Sequence, residues 1–243
     1  MQSLVTPIIL VPVGLLPSLI WLFLYLKKDR HPEPRHLLIE TFLMGMIISP
    51  LAVIFQWLLT SATGLGSTGF FLGAALIEEL VKLLAVLLIA IRDPEFDEPV
   101  DAMIYMIVAS LGFAAIENIL FLFKSIDQGV VFATQVIVLR FIGATLLHAL
   151  AGAITGYFLA IAWFYREHAK KIIAAGIMLA TVFHFSFNLL ISNSSTSTQH
   201  PQGNTWFMGY AIILLLAFLV LVQLLFSQIR DRHRRQISNL CVE

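Results

Sequence analysis

The chain has 243 residues, of which 59% are hydrophobic and 12% charged, and its mean hydropathy of +0.89 exceeds what a soluble domain of this size needs for a core. Lys and Arg number 15 and Asp and Glu 15, for a net charge of zero; no global field points to nucleic acid, and the cations instead sit in short clusters between apolar runs, where they encode topology. The single cysteine, Cys241 in the polar tail, excludes an internal disulfide or a thiol-rich metal site and reads as a free, inert thiol.

Runs of about 20 apolar residues, the length a bilayer requires, cover Pro7 to Leu26, Leu37 to Thr60, Phe70 to Ile91, Ala102 to Phe123, Ile172 to Ile191 and Trp206 to Phe226. Between the fourth and fifth lies Val130 to Tyr165, at about 54 Å too long for one upright helical crossing. It reads as one span from Phe141 to Tyr165, preceded by an interfacial or kinked stretch from Val131 to Arg140; the alternative is two crossings and eight spans. The first run has no basic residue before it and is followed by Lys27, Lys28, Arg30 and Arg35, which suits an anchor with its N-terminus outside and not a cleaved leader.

Seven spans from an outside N-terminus put the clusters at Lys27 to Arg35, Arg92 to Asp101, Arg166 to Lys171 and Arg230 to Arg235 on the cytoplasmic side. Only Lys124 is left outside, and the outer loops "SATGLGSTG" and "SNSSTSTQHPQGN" carry no Lys or Arg. The expected fold is therefore an all-α polytopic bundle of about seven transmembrane helices, N-terminus out and C-terminus in. Residues 1–243 read as a single integral membrane domain whose motif-bearing core is 70–191, with no fixed-period repeat and no long linker.

Four of these spans carry groups that lipid rejects: Glu78, Glu79 and Lys82 in the third, Glu117 and Asn118 in the fourth, His148 in the fifth, and His184, Ser186 and Asn188 in the sixth. Each marks a candidate site. At 1.5 Å per residue Glu78 lies roughly 12 Å below the outer end of its span, and Glu117, His184 and His148 roughly 9 to 10 Å below theirs. The four helices thus place carboxylates and imidazoles in one layer of the outer leaflet. Glu78 and Lys82 stand four residues apart in the order that favours an ion pair, whereas Glu79 reaches Lys82 at three. His184 and Asn188 share a face, and so do His148, Gly152 and Gly156, the two glycines forming a GxxxG that permits close helix approach.

Two neighbouring carboxylates in a low dielectric do not readily both ionise, which suits activation of water. A histidine and an asparagine one turn apart can both donate to a developing oxyanion, the second requirement for hydrolysing an acyl bond. Two histidines with one glutamate equally form a three-ligand zinc set, Glu117, His148 and His184, with a fourth position open for water. There is no HExxH helix, so any zinc site is assembled from different spans, and spacing leaves metal-dependent and metal-free chemistry both open. Packing roles compete: Glu78 with Lys82 as a structural ion pair, and His148, Ser186 and Asn188 as interhelical hydrogen-bonding residues.

The four stretches "EELVK" (Glu78 to Lys82), "GFAAIEN" (Gly112 to Asn118), "HALAG" (His148 to Gly152) and "HFSFN" (His184 to Asn188), in that order on successive spans, resemble the PrsW family of intramembrane proteases. That family is related to the CAAX-processing and abortive-infection (CPBP) proteases. The resemblance implies a glutamic-type or metallo-type peptide hydrolase of the bacterial inner membrane that cuts a membrane-anchored protein, such as an anti-sigma factor, near the outer face. It implies catalytic roles for Glu78, Glu79, Glu117, His148, His184 and Asn188, with Lys82 and Phe113 in support: paired glutamates to activate water, and His184 with Asn188 to hold the oxyanion. Glu117 stands where the superfamily's FxxxH motif has histidine, so His148 is the expected source of that imidazole. Lys82 stands where the CAAX branch tends to have arginine, which keeps the charge without the bidentate geometry.

Two other classes are weighed against a protease. A proton-coupled carrier would use the same Glu, Lys and His groups as a relay, but it should spread them over several depths and pair broken helices by internal symmetry. A membrane scaffold with a polar core would survive Glu79→Gln without loss of function.

Overall fold

Proline and glycine set the limits of the second helix: Pro34 precedes it, and Gly64, in the left-handed region at φ 57°, closes it by donating its N–H to the Thr60 carbonyl. The computed structural model describes residues 5–27, 32–64, 66–194 and 205–240. Cys241, Lys28, Arg30 and residues 195–204 of the last outer loop fall outside that range. Eight helices follow in order: α1 Val5–Leu26, α2 Arg35–Thr63, α3 Ser67–Leu88, α4 Asp101–Ile126, α5 Val130–Ile142, α6 Ala144–Phe164, α7 Ala169–Ser194 and α8 Thr205–Leu240, with a 3₁₀ turn at Arg166–His168. No strand occurs among the described residues.

Among the described residues six segments are long and apolar enough to cross a membrane, with α5 and α6 together, residues 130–164, counting as one. Helix α3, 22 residues long, is the seventh; Glu78, Glu79 and Lys82 set it apart from the purely apolar set. The stretch expected to be kinked is a helix of its own, α5, 13 residues long. At about 20 Å it is too short to cross alone, so the count stays at seven. The chain breaks at Gly143 (φ −96°, ψ −87°), which puts the start of α6 at Ala144, three residues beyond the expected Phe141. A helix break in lipid needs its freed carbonyls satisfied, and the Trp21 indole N–H of α1 donates to the Phe141 carbonyl at 2.8 Å.

Helix α4 is the axis of the bundle: 67% of its apolar stretch is buried, against 39% or less for the other apolar segments. Small residues let its neighbours close in. A Cβ at Gly152 of α6 would stand 2.7 Å from the Met106 carbonyl oxygen, and one at Gly156 would stand 2.6 Å from the Met103 Cα. The GxxxG line is therefore the α6 surface laid against α4, as its spacing implied.

The basic segments gather at one end. Tyr105 near the start of α4 donates to Glu33 at 2.5 Å. Asp101, the first residue of α4, accepts the N–H groups of Asp97 at 3.0 Å and Glu98 at 2.7 Å and so ties the preceding loop to the start of the helix. His233 of α8 lies 4.0 Å from Glu98, and Arg232 lines one cavity with His168 and Lys171. Lys124 lies in the last turn of α4, at the opposite end.

A carboxylate and imidazole centre between the helices

Glu78, Glu79, Lys82, Glu117, His148 and His184 come together inside the bundle, from α3, α4, α6 and α7. The common depth read from the sequence is thus realised as contact. Apolar neighbours hold each helix in register: Val81, Leu83, Phe113, Leu147 and Phe183 are all buried around the centre.

On the α3 side, Glu79 is the hub. Its Oε1 accepts from the Lys82 ammonium at 2.6 Å and from His184 Nδ1 at 2.8 Å, and both Glu79 and Lys82 have no exposed side-chain surface. The pairing differs from the expected one, in which Lys82 favoured Glu78 at four residues. Two donors from separate helices converge on Glu79, whereas Glu78 turns to α2, where Gln56 donates to its Oε1 at 2.9 Å. Glu78 Oε2 stands 3.5 Å from His184 Nε2. The Lys82 ammonium lies 5.2 Å from the Phe113 ring centroid, a cation–π contact that offsets part of its desolvation, and the same ring stands 5.6 Å from His148. Phe113 is thus a supporting wall between the two sides.

On the α4 side, Glu117 is the hub. Its Oε2 accepts from Arg140 Nη2 at 2.8 Å and meets His148 Nε2 at 3.0 Å. Arg140 arrives from α5, also donates from Nε to Asn118 Oδ1 at 2.7 Å, and lies over the Phe121 ring at 4.1 Å. Asn118 in turn donates to Thr145 Oγ1 at 3.0 Å. The two imidazoles face each other edge to face, centroids 5.0 Å apart.

Glu78, His148 and His184 each offer a ligand-type atom within 4.8 Å of the other two, and all three are buried. The set differs from the expected one in a single member, since Glu117 Oε2 is shared between Arg140 and His148 and Glu78 takes the third place. Two observations fit a cation here. Glu78 Oε2 and His148 Nδ1 are buried without a hydrogen-bond partner, which a folded interior tolerates only where something else completes them. Each histidine also has one nitrogen on a carboxylate, His184 on Glu79 and His148 on Glu117, the arrangement that orients histidine ligands in metal centres.

Two residues from the sequence analysis stand apart. Ser186 donates to the Val182 carbonyl of its own helix. Asn188, half-buried and one turn beyond His184 on the same face of α7, has no side-chain hydrogen bond among the described residues. Arg140, Gln56 and Thr145 were not singled out by the sequence. Arg140 is the one formal charge between Val130 and Phe164, and Gln56 is a lone amide in an apolar run; a polar group so isolated in a span needs a partner, and that was the available signal.

The chain matches the profile of a family described as "PrsW family intramembrane metalloprotease" over residues 33–224. It is similar to proteins named Protease PrsW from several bacteria. That of Oceanobacillus iheyensis is 31% identical over 187 residues, 76% of this chain and 84% of the relative. That of Bacillus subtilis is 29% identical over 190 residues, 75% and 83%, and that of Clostridioides difficile 26% over 220 residues, 86% and 85%. No solved structure matches the chain.

Proposed function

Because the chain belongs to the PrsW family of intramembrane proteases, and is by its spans and bacterial relatives a multi-pass protein of a bacterial cell membrane, we propose that it hydrolyses a peptide bond of a membrane-anchored protein at the centre formed by Glu78, His148 and His184. The carrying observation is that these three buried ligand-type groups meet within 4.8 Å while Glu78 Oε2 and His148 Nδ1 have no partner.

Glu78, His148 and His184 would hold a divalent cation such as zinc, which when bound makes water acidic enough to attack at neutral pH and polarises the scissile carbonyl. The other residues prepare that centre. Glu79 Oε1 accepts the Nδ1–H of His184 and so leaves Nε2 free as a lone-pair donor. Lys82, 2.6 Å from the same oxygen, keeps Glu79 charged and fixed. Glu117 does for His148 what Glu79 does for His184, taking Nε2 and freeing Nδ1. Gln56 holds Glu78 through Oε1 and leaves Oε2 to the centre.

With Glu78 among the ligands, Glu79 is the carboxylate that takes the proton of the attacking water, since its Oε2 is buried and unpartnered. Asn188, with its amide unengaged one turn from His184, is the donor for the oxyanion. Glu117 lies nine residues before the end of α4 at Ile126, about 14 Å along the helix and nearer the end away from the basic segments. With those segments in the cytoplasm, cleavage falls near the outer face, and a membrane-anchored regulator such as an anti-sigma factor is the substrate class. Polar groups gathered at one level favour hydrolysis over a proton relay, which needs them across the bilayer.

The test is cleavage of single-span substrates by the purified protein in detergent, for wild type, Glu79→Gln and His184→Ala, with chelator and with zinc restored. Loss in both variants with the fold intact is the expected result, as is loss with chelator and recovery with zinc. Cleavage that ignores chelator would move the chemistry to the glutamates alone, and cleavage unchanged in both variants would remove this centre from the reaction.

A further inference from the structure

The α4 side of the centre depends on a residue from outside the four motifs. Helix α5 buries only Ala133, and Val130, Val131, Val138, Leu139 and Ile142 are all exposed to at least half of their surface. Apolar burial therefore gives α5 little hold on the bundle. What fastens it is polar: the Trp21 indole on the Phe141 carbonyl, and the Arg140 guanidinium on Glu117 and Asn118.

We infer that Arg140 is a positioning residue for hydrolysis: by fixing Glu117 it fixes the tautomer and orientation of His148, and it makes the docking of α5 a condition for an assembled centre. The inference rests on the reading of that centre as catalytic. Three features carry it. Arg140 is the one cation on Glu117 among the described residues, at 2.8 Å. Its second donor, Nε, is taken by Asn118 Oδ1 at 2.7 Å, so two bonds from one planar group leave the fork little freedom to turn. And Glu117 Oε2, the oxygen Arg140 grips, is the one His148 Nε2 meets at 3.0 Å. With the Glu117 oxygen at Nε2 and no partner at Nδ1, Nε2 is the nitrogen turned to a hydrogen bond and Nδ1 the one left for a ligand role. Without Arg140, Glu117 loses the contact that fixes its Oε2 in place, and His148 loses the fixed acceptor that selects one tautomer. The guanidinium also seats on the Phe121 ring. Lys124 lies 5.8 Å from the same ring centroid without an ion-pair partner among the described residues, which makes it the natural control.

Full-length protein labelled with ¹⁵N-histidine, in detergent, reports the protonation of each ring nitrogen by NMR, and the His148 signals are assigned by their loss in His148→Gln. Wild type and Lys124→Leu should show His148 as the Nε2–H tautomer alone. Arg140→Leu should show a mixture, and Arg140→Lys should hold largely to the wild-type form. Where cleavage is measured alongside, Arg140→Leu should lower kcat about 10- to 100-fold with KM unchanged, and Arg140→Lys should recover part of it. Arg140→Gln gives the same readings if the leucine variant does not fold. An unchanged His148 tautomer in a folded variant without Arg140 overturns the inference. A tautomer change in a protein that cleaves none of the substrates would uphold Arg140's hold on His148 and count against the protease reading of the site instead.

Discussion

The two sides of the centre are built to one plan and differ in how they are tied. Each has a carboxylate as hub, an imidazole from a different helix and a cation: Glu79 with His184 and Lys82, and Glu117 with His148 and Arg140. On the first side the cation comes from the same helix, three residues on, and neither partner of the ion pair has exposed side-chain surface. On the second it comes from α5, 23 residues on in the chain, and the pair is 12% and 25% exposed. One hub therefore meets its cation within α3 itself and is shut away from water, while the other gains its cation only when a weakly buried helix docks.

The largest effects should come from the hubs and imidazoles of the inner side. Glu79→Gln and His184→Ala should each cost on the order of 10³- to 10⁴-fold in kcat/KM, measured by substrate cleavage, with helical content unchanged by circular dichroism. Next comes the contrast between the cations. Lys82→Met strands a fully buried carboxylate and should cost about 3–5 kcal/mol in detergent unfolding; Arg140→Met, whose partner keeps some contact with water, should cost about half that or less. Equal losses would break the comparison. The double variant Lys82→Met with Glu79→Gln should regain much of the stability lost by Lys82→Met alone, because the stranded charge is gone.

A smaller effect joins the two sides. If the ion is held by Glu78, His148 and His184, zinc at 100 times its dissociation constant should stabilise wild type by about 2.7 kcal/mol. Thermal shift should show that gain vanish in His148→Gln and in Glu78→Gln. The smallest is Gln56→Leu, which removes one donor from Glu78 and should cost about 1.5 kcal/mol, read as roughly tenfold in kcat/KM.

The inner side was legible in the sequence and the outer one only in part, for a physical reason. Glu78, Glu79 and Lys82 lie within two turns of one apolar run, so their helical spacing displays them together, and depth counting from the span ends brought His184, His148 and Glu117 to the same level. Spacing on one helix could not say which glutamate Lys82 prefers, because the choice is made by His184 from α7 and Gln56 from α2. Nor could it reach Arg140. The break at Gly143 turns α5 so that a residue expected on an interfacial stretch reaches the middle of α4, and no periodicity crosses a break. The all-helical, multi-span architecture and the glycine line of α6 against α4 were readable because each follows from composition or local spacing alone.

The indole of Trp21, which satisfies the carbonyl left open where α5 ends, also gives the protein an optical gauge. The chain has four tryptophans, and replacing Trp57, Trp163 and Trp206 with phenylalanine leaves one fluorophore, hydrogen-bonded to the end of α5 and tilted against the Phe141 ring, 5.8 Å between ring centroids. Its emission maximum and its quenching by lipids brominated at defined depths will then follow the seating of α5 in real time, before and during the arrival of a substrate, with no dye attached.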